Sequence, residues 1–185
     1  PFYLAATTVT QAEYEALMRT NPSAHSAKGR MRRKVAGLAT EQFPVESVAW
    51  HDAVDFCNRL SETPQEQAKG HIYRLPSEIE WELACRAEAS LMAPVPYGQT
   101  LSPRFANFKA AANARTNLGR PTTVRSYAPN AFRLYEMIGN VWEWCGDWFH
   151  ENYYNLMRRV DPLPPEVSDR RNARGGTYNL EARRV

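Results

Sequence analysis

The stretch Glu136-Met137-Ile138-Gly139-Asn140-Val141-Trp142-Glu143-Trp144-Cys145-Gly146-Asp147-Trp148 sets three carboxylates among three tryptophans. Taken as a strand, Val141 to Cys145 alternates strictly, with Trp142 and Trp144 on one side and Val141, Glu143 and Cys145 on the other. An acid at the centre of such a strand must be solvated, paired with a cation, or bound to a metal, because burying it alone costs more than a fold can offset. Upstream, Glu136 supplies another carboxylate, and Gly139-Asn140 supplies a tight turn whose carbonyls can point inward. Carboxylate oxygens mixed with backbone carbonyls are the ligands that Ca²⁺ takes, about six to eight at a time. Spacing alone leaves two readings open. One is an oxygen-ligated hard cation; the other is a Trp-rich core strand with Glu143 salt-bridged to one of the arginines.

Other chemistry is thinner. Cys57, Cys85 and Cys145 stand far apart with no C-x-x-C pair, which argues against a disulfide framework and a cysteine zinc site. Cys57 and Cys85 fall on the apolar faces of expected helices, where a thiol is a small buried hydrophobe. His25, His51, His71 and His150 show no metal-ligand spacing and read as surface or capping residues. The net charge of +3 is the small difference between 23 basic and 20 acidic residues. Its distribution is uneven: Lys28 to Lys34 is a basic run, and no acid occurs from Ala89 to Tyr135. The run reads as a solvated insertion loop beside a mildly basic face, which favours it over a nucleic-acid surface.

These residues need elements to position them. With 185 residues, 43 % of them hydrophobic, the chain suits one domain with a real core. No apolar run approaches the length of a membrane span, and Pro1-Phe2-Tyr3-Leu4 lacks the features of a signal peptide. Those features favour a cytoplasmic setting without assigning one. Thr10-Gln11-Ala12-Glu13 and Ser77-Glu78-Ile79-Glu80 each fit a capping box and so open a helix. The first carries Tyr14, Leu17 and Met18 and stops near Asn21-Pro22; the second carries Trp81, Ala84 and Cys85. Between them, Trp50, Val54, Cys57 and Leu60 recur at helical spacing. Short extended stretches are expected at Phe2–Val9, Phe43–Val48 and Ile72–Leu75. Residues 89–135 read as long irregular chain, with turns at Pro96–Gly98, Leu118–Pro121 and Ala128–Asn130. Asp161 to Pro165 reads as a stiff connection. The class is α+β, with few short helices and strands and much irregular chain.

Six blocks, in order, carry a resemblance. They are Val9 to Tyr14, Phe43 to Ala53, Tyr73 to Glu82, Ala106-Asn107-Phe108, Pro129 to Trp144, and Arg174-Gly175-Gly176-Thr177-Tyr178. Together they closely resemble the formylglycine-generating enzyme, or sulfatase-modifying-factor, family along the whole chain. The resemblance implies a C-type-lectin-like variant fold pinned by structural calcium. It would place one Ca²⁺ on the side chain of Glu136, the carbonyls of Gly139 and Val141, and the carboxylate of Glu143. The acids would then face ions and polar loops while the tryptophans anchor the core. A second family ion begins at Asn107 and needs an acid downstream; the acid-free stretch from Ala89 to Tyr135 offers none, so that ion is expected to be absent. The family domain extends beyond both ends of the chain, so residues 1–185 read as one domain truncated at each end.

Members that oxidise a sulfatase cysteine hold copper(I) on two cysteines five residues apart, just after the Arg-Gly-Gly block. Those positions are Leu180 and Val185 here, and neither binds a soft metal. No copper is expected, formylglycine generation is disfavoured, and no residue is assigned a catalytic role. Related domains act as display scaffolds, with ligand contacts clustered after Arg-Gly-Gly. Arg174 and Tyr178, with Trp142 and Trp144, are therefore the candidate ligand-binding residues. The expected role is a protein- or peptide-binding or sensor module, within a larger bacterial protein. The alternative is an oxidoreductase using a different site.

Overall fold

Thr10 and Ser77 both cap helices as their sequences imply. The computed structural model describes residues 2–87, 100–110, 117–153 and 168–182. Helix α1 is Gln11–Met18: the Thr10 hydroxyl accepts the Glu13 amide, and the Glu13 carboxylate accepts the Thr10 amide in return. It stops at Arg19, whose φ of 63° is left-handed. Helix α2 is Trp50–Ser61, α3 is Pro64–Lys69, and α4 is Glu78–Arg86 with the Ser77–Glu80 box intact. Sequence reading missed α3, although Pro64 at its first turn and the left-handed Gly70 just past its end are recognisable start and stop signals.

Strand β1, Glu143–Trp148, pairs antiparallel with β2, Arg171–Arg174, and a register irregularity falls between Trp144 and Trp148. The expected strands at Phe2–Val9 and Phe43–Val48 form no ladder. They meet at a single bridge, Thr10 with Pro44, beside the bond from the Val45 amide to the Val9 carbonyl. Pro44 has no N–H with which to continue the pairing. Ile72–Leu75 is also unpaired: Ile72 is exposed, and the Tyr73 amide is taken by the Ser61 hydroxyl.

The core lies between α4 and the loops before β1. It gathers Trp81, Ala84, Cys85, Ala106, Phe108, Leu134, Met137, Ile138 and Cys145. Of the expected stripe on α2, Trp50, Val54, Cys57 and Leu60 are only half-buried, and the buried residue is Phe56, stacked on Tyr14 of α1 at 5.5 Å. Cys57 is thus not the buried filler expected, whereas Cys85 is. His25 is also a correction: it is buried, not a surface residue. The turn at Pro96–Gly98 and the segment Asp161–Pro165 lie outside the described residues. Among the described residues no helix is long and apolar enough to cross a membrane.

Candidate functional site

The turn from Glu136 to Asn140 is built by backbone that most side chains avoid. Glu136, Gly139 and Asn140 have φ of 48°, 78° and 62°, so the chain reverses tightly before β1. Two crossings hold it: the Gly139 amide donates to the Gly175 carbonyl at 2.7 Å, and the Asn140 amide donates to the Asn107 carbonyl at 2.7 Å. Around it the buried Asn107 and Asn140 amides join through a 3.1 Å hydrogen bond, and Asn140 Oδ1 also accepts the Thr122 amide.

The two acids of the expected ion site sit on this turn and at the start of β1. Glu136 is buried, and its carboxylate oxygens accept the amides of Arg125 at 2.9 Å and Tyr127 at 3.1 Å. Burial pushes its pKa up, opposed by those amides. Glu143 Oε2 accepts the Trp81 indole N–H at 2.7 Å. Burial pushes Glu143 up to about 7, the indole bond opposes this, and the charge of Glu136 adds to it. Arg174, opposite Glu143 across the strand pair, forms no ion pair with it. The nearby Arg174 is held instead by Glu78 and Glu82 of α4 and lies over the Trp81 ring. A side chain added at Gly175 would meet the carbonyls of Met137 and Val141, at 3.2 and 3.8 Å, and the Trp81 ring, at 3.4 Å.

These residues fit a hard cation in kind. Glu136 and Glu143 lie close enough that the charge of Glu136 raises the pKa of Glu143. Carboxylate oxygens are donors of the type a hard cation takes, but among the described residues no third His, Cys, Asp or Glu joins them. Glu136 is the least available donor, because both of its oxygens already accept backbone amides. Sequence reading missed Trp81 as the partner of Glu143. Its signal was an indole one turn into α4, since an indole N–H seeks an acceptor when buried.

The tryptophans do not anchor the core as expected. Trp142 is 49 % exposed, and Trp144 is half-buried with its indole N–H on the Val48 carbonyl. Val141 and Cys145 take the core-facing side instead, because α4 covers that face of the strand pair. The four candidate ligand-binding residues are therefore dispersed. Trp142 and Trp144 share one face of the strand, Arg174 is engaged by α4, and Tyr178 meets the buried His25 edge-on at 5.4 Å. Leu180, at the first family cysteine position, is tied down by its backbone: its carbonyl accepts the Lys109 amide at 2.8 Å. Val185 lies outside the described residues. The buried thiols are ordinary filler; burial pushes Cys85 up to about 12 and Cys145 higher still, so neither is a thiolate.

Few helices, a two-stranded sheet and long irregular chain around a pinned turn define a C-type-lectin-like fold of the formylglycine-generating type. The Treponema denticola variable protein 1 shares it, with a TM-score of 0.71 and 24 % identity over 97 % of this chain and 74 % of that one. The chain belongs to the sulfatase-modifying factor enzyme 1-like family, whose model matches residues 1–185. It is 32 % identical over 146 residues to the formylglycine-generating enzyme of Thermomonospora curvata, covering 73 % of this chain and 44 % of that protein. It is also 33 % identical over 110 residues to the inactive Cα-formylglycine-generating enzyme 2 of Bos taurus, covering 56 % of this chain and 32 % of that protein. The chain thus spans less than half the length of either relative.

Proposed function

We propose that this chain is a non-catalytic member of its family, a rigid module that binds a protein or peptide within a larger protein. The observation that carries the reading is Leu180, an apolar side chain where the parent reaction needs a thiolate. Two further facts support it. The three cysteines of the chain all lie in other segments, and the family contains a relative described as inactive. A calcium ion on Glu136 and Glu143, with the carbonyls of Gly139 and Val141, would rigidify the turn that carries β1. Trp142 and Tyr178, on the loops flanking that turn, are the residues offered to a partner.

The test is direct. The purified chain is incubated with copper(I), oxygen, thiol and a cysteine peptide of the sulfatase type, while oxygen uptake and aldehyde formation are followed. Rates equal to the protein-free control are expected. Aldehyde formed at a useful turnover, or oxygen uptake that depends on the protein, would overturn the non-catalytic reading in favour of an oxidoreductase.

A further inference from the structure

The basic run before α2 does more than solvate a loop. Residues 21–30 fold back on themselves into an open pocket of about 430 Å³, lined by Asn21, Ser23, Ser26, Lys28, Arg30 and Ser47 among others. Its floor is fixed. The Gly29 amide bonds the Ser26 carbonyl, and the Met31 amide bonds the Ala24 carbonyl. Gly29 sits so close to the Ala24 carbonyl that a Cβ there would lie 2.1 Å from its oxygen. The buried Gln11 of α1 ties the floor to the fold, accepting from Asn21 and donating to the His25 carbonyl.

One buried polar group lining this pocket has unused capacity, and a second follows it two residues on in the chain. Ser23 is 1 % exposed; its hydroxyl accepts the Glu46 amide at 3.2 Å, and its own proton has no acceptor among the described residues. His25, next in sequence to the lining residues Ala24 and Ser26 but not itself in the lining, is 3 % exposed with Nε2 unpartnered among the described residues. Buried polar atoms are almost always satisfied, so unspent capacity beside a pocket points to a ligand. The rim supplies two exposed cations, Lys28 and Arg30. The acid beside the pocket, Glu46, is committed elsewhere: its oxygens take the His25 amide at 2.7 Å, His25 Nδ1 at 3.1 Å and the Ser47 hydroxyl at 2.6 Å.

We propose that this pocket binds a phosphate group, with the Ser23 hydroxyl donating from the floor and Lys28 and Arg30 closing from the rim. Arginine offers a planar fork and lysine a mobile point charge, and together with a hydroxyl they surround a tetrahedral oxyanion better than a planar carboxylate. The site is independent of the reading above.

Calorimetric titration of the full chain with inorganic phosphate, at fixed ionic strength, tests it. Saturable binding is expected. Lys28→Gln and Arg30→Gln should each weaken it about tenfold, the worth of one charge-assisted hydrogen bond. Arg33→Gln, in the same run but outside the lining, should leave it unchanged. All three positions are exposed, and an unchanged melting temperature confirms folding. Absence of saturable binding overturns the proposal. So does an equal loss in Arg33→Gln, which would mean diffuse charge, or acetate binding more tightly than phosphate.

Discussion

Gly139 shows at the scale of one residue why this turn tolerates little change. Its φ of 78° is left-handed, and a Cβ would lie 2.4 Å from the Asn107 carbonyl oxygen. Alanine there would have to take a strained φ and also push apart the backbone that carries the Asn107–Asn140 amide pair. The left-handed conformation alone costs about 1–2 kcal/mol, and displacing a buried hydrogen bond adds about 1 kcal/mol or more. Gly139→Ala should therefore lower stability by about 2–4 kcal/mol in urea unfolding. A loss under about 1 kcal/mol would show that the turn can relax.

At the scale of elements, capping and one surface clamp decide whether the short helices hold. Ser77 begins α4, which carries Glu78 and Glu82 to Arg174 and places Trp81 under Glu143. Ser77→Ala removes the hydroxyl that accepts the Glu80 amide at 3.1 Å, and about 1 kcal/mol of stability should go with it. Thermal melts of Ser77→Ala beside Ser77→Thr would check this, because threonine keeps the cap. At the end of α3 the Glu66 carboxylate accepts Lys69 at 2.9 Å, His71 at 2.7 Å and the Tyr73 hydroxyl at 2.7 Å. The hydrogen bond from Lys69, followed by those from Tyr73 and His71, lowers its pKa from 4.5 to about 2. A depressed acid contributes stability that is present above its unfolded pKa and lost as pH falls through the folded one. Wild-type protein should therefore lose more of its melting temperature than Glu66→Gln between pH 4.5 and about 2. Parallel curves for the two proteins would mean that Glu66 gains nothing on folding.

At the scale of the whole molecule, a two-stranded sheet, four short α-helices and one 3-10 turn leave much of the described chain to be held by polar ties and, on our proposal, by an ion. A ligand that binds only the folded state stabilises it by mass action, about 2.7 kcal/mol at one hundred times its Kd. Melting with and without a chelator should therefore separate the two forms by several degrees. Glu143→Gln should melt alike in both conditions, having lost a carboxylate that an ion would need. If chelation leaves the wild-type melting temperature unmoved and elemental analysis finds no calcium, Glu136 and Glu143 are not ligands.

Local signals were legible from residue order alone. Both capping boxes read correctly because a hydroxyl and a carboxylate three residues apart satisfy each other wherever they occur. Gly139 and Gly175 stood out within ordered motifs that also identify the family. Pairing was not legible, because it depends on what arrives from elsewhere in the chain. The expected strand at Phe43–Val48 found no ladder, and the side of β1 that became buried was fixed by where α4 docked. That docking gave Glu143 an indole partner 62 positions away in sequence and left Trp142 in solvent. Sequence determined the family, the capped starts of α1 and α4, and the absence of sulfur at position 180. Tertiary structure decided which groups meet and which are buried, since a carboxylate's partner and pKa are set by its surroundings.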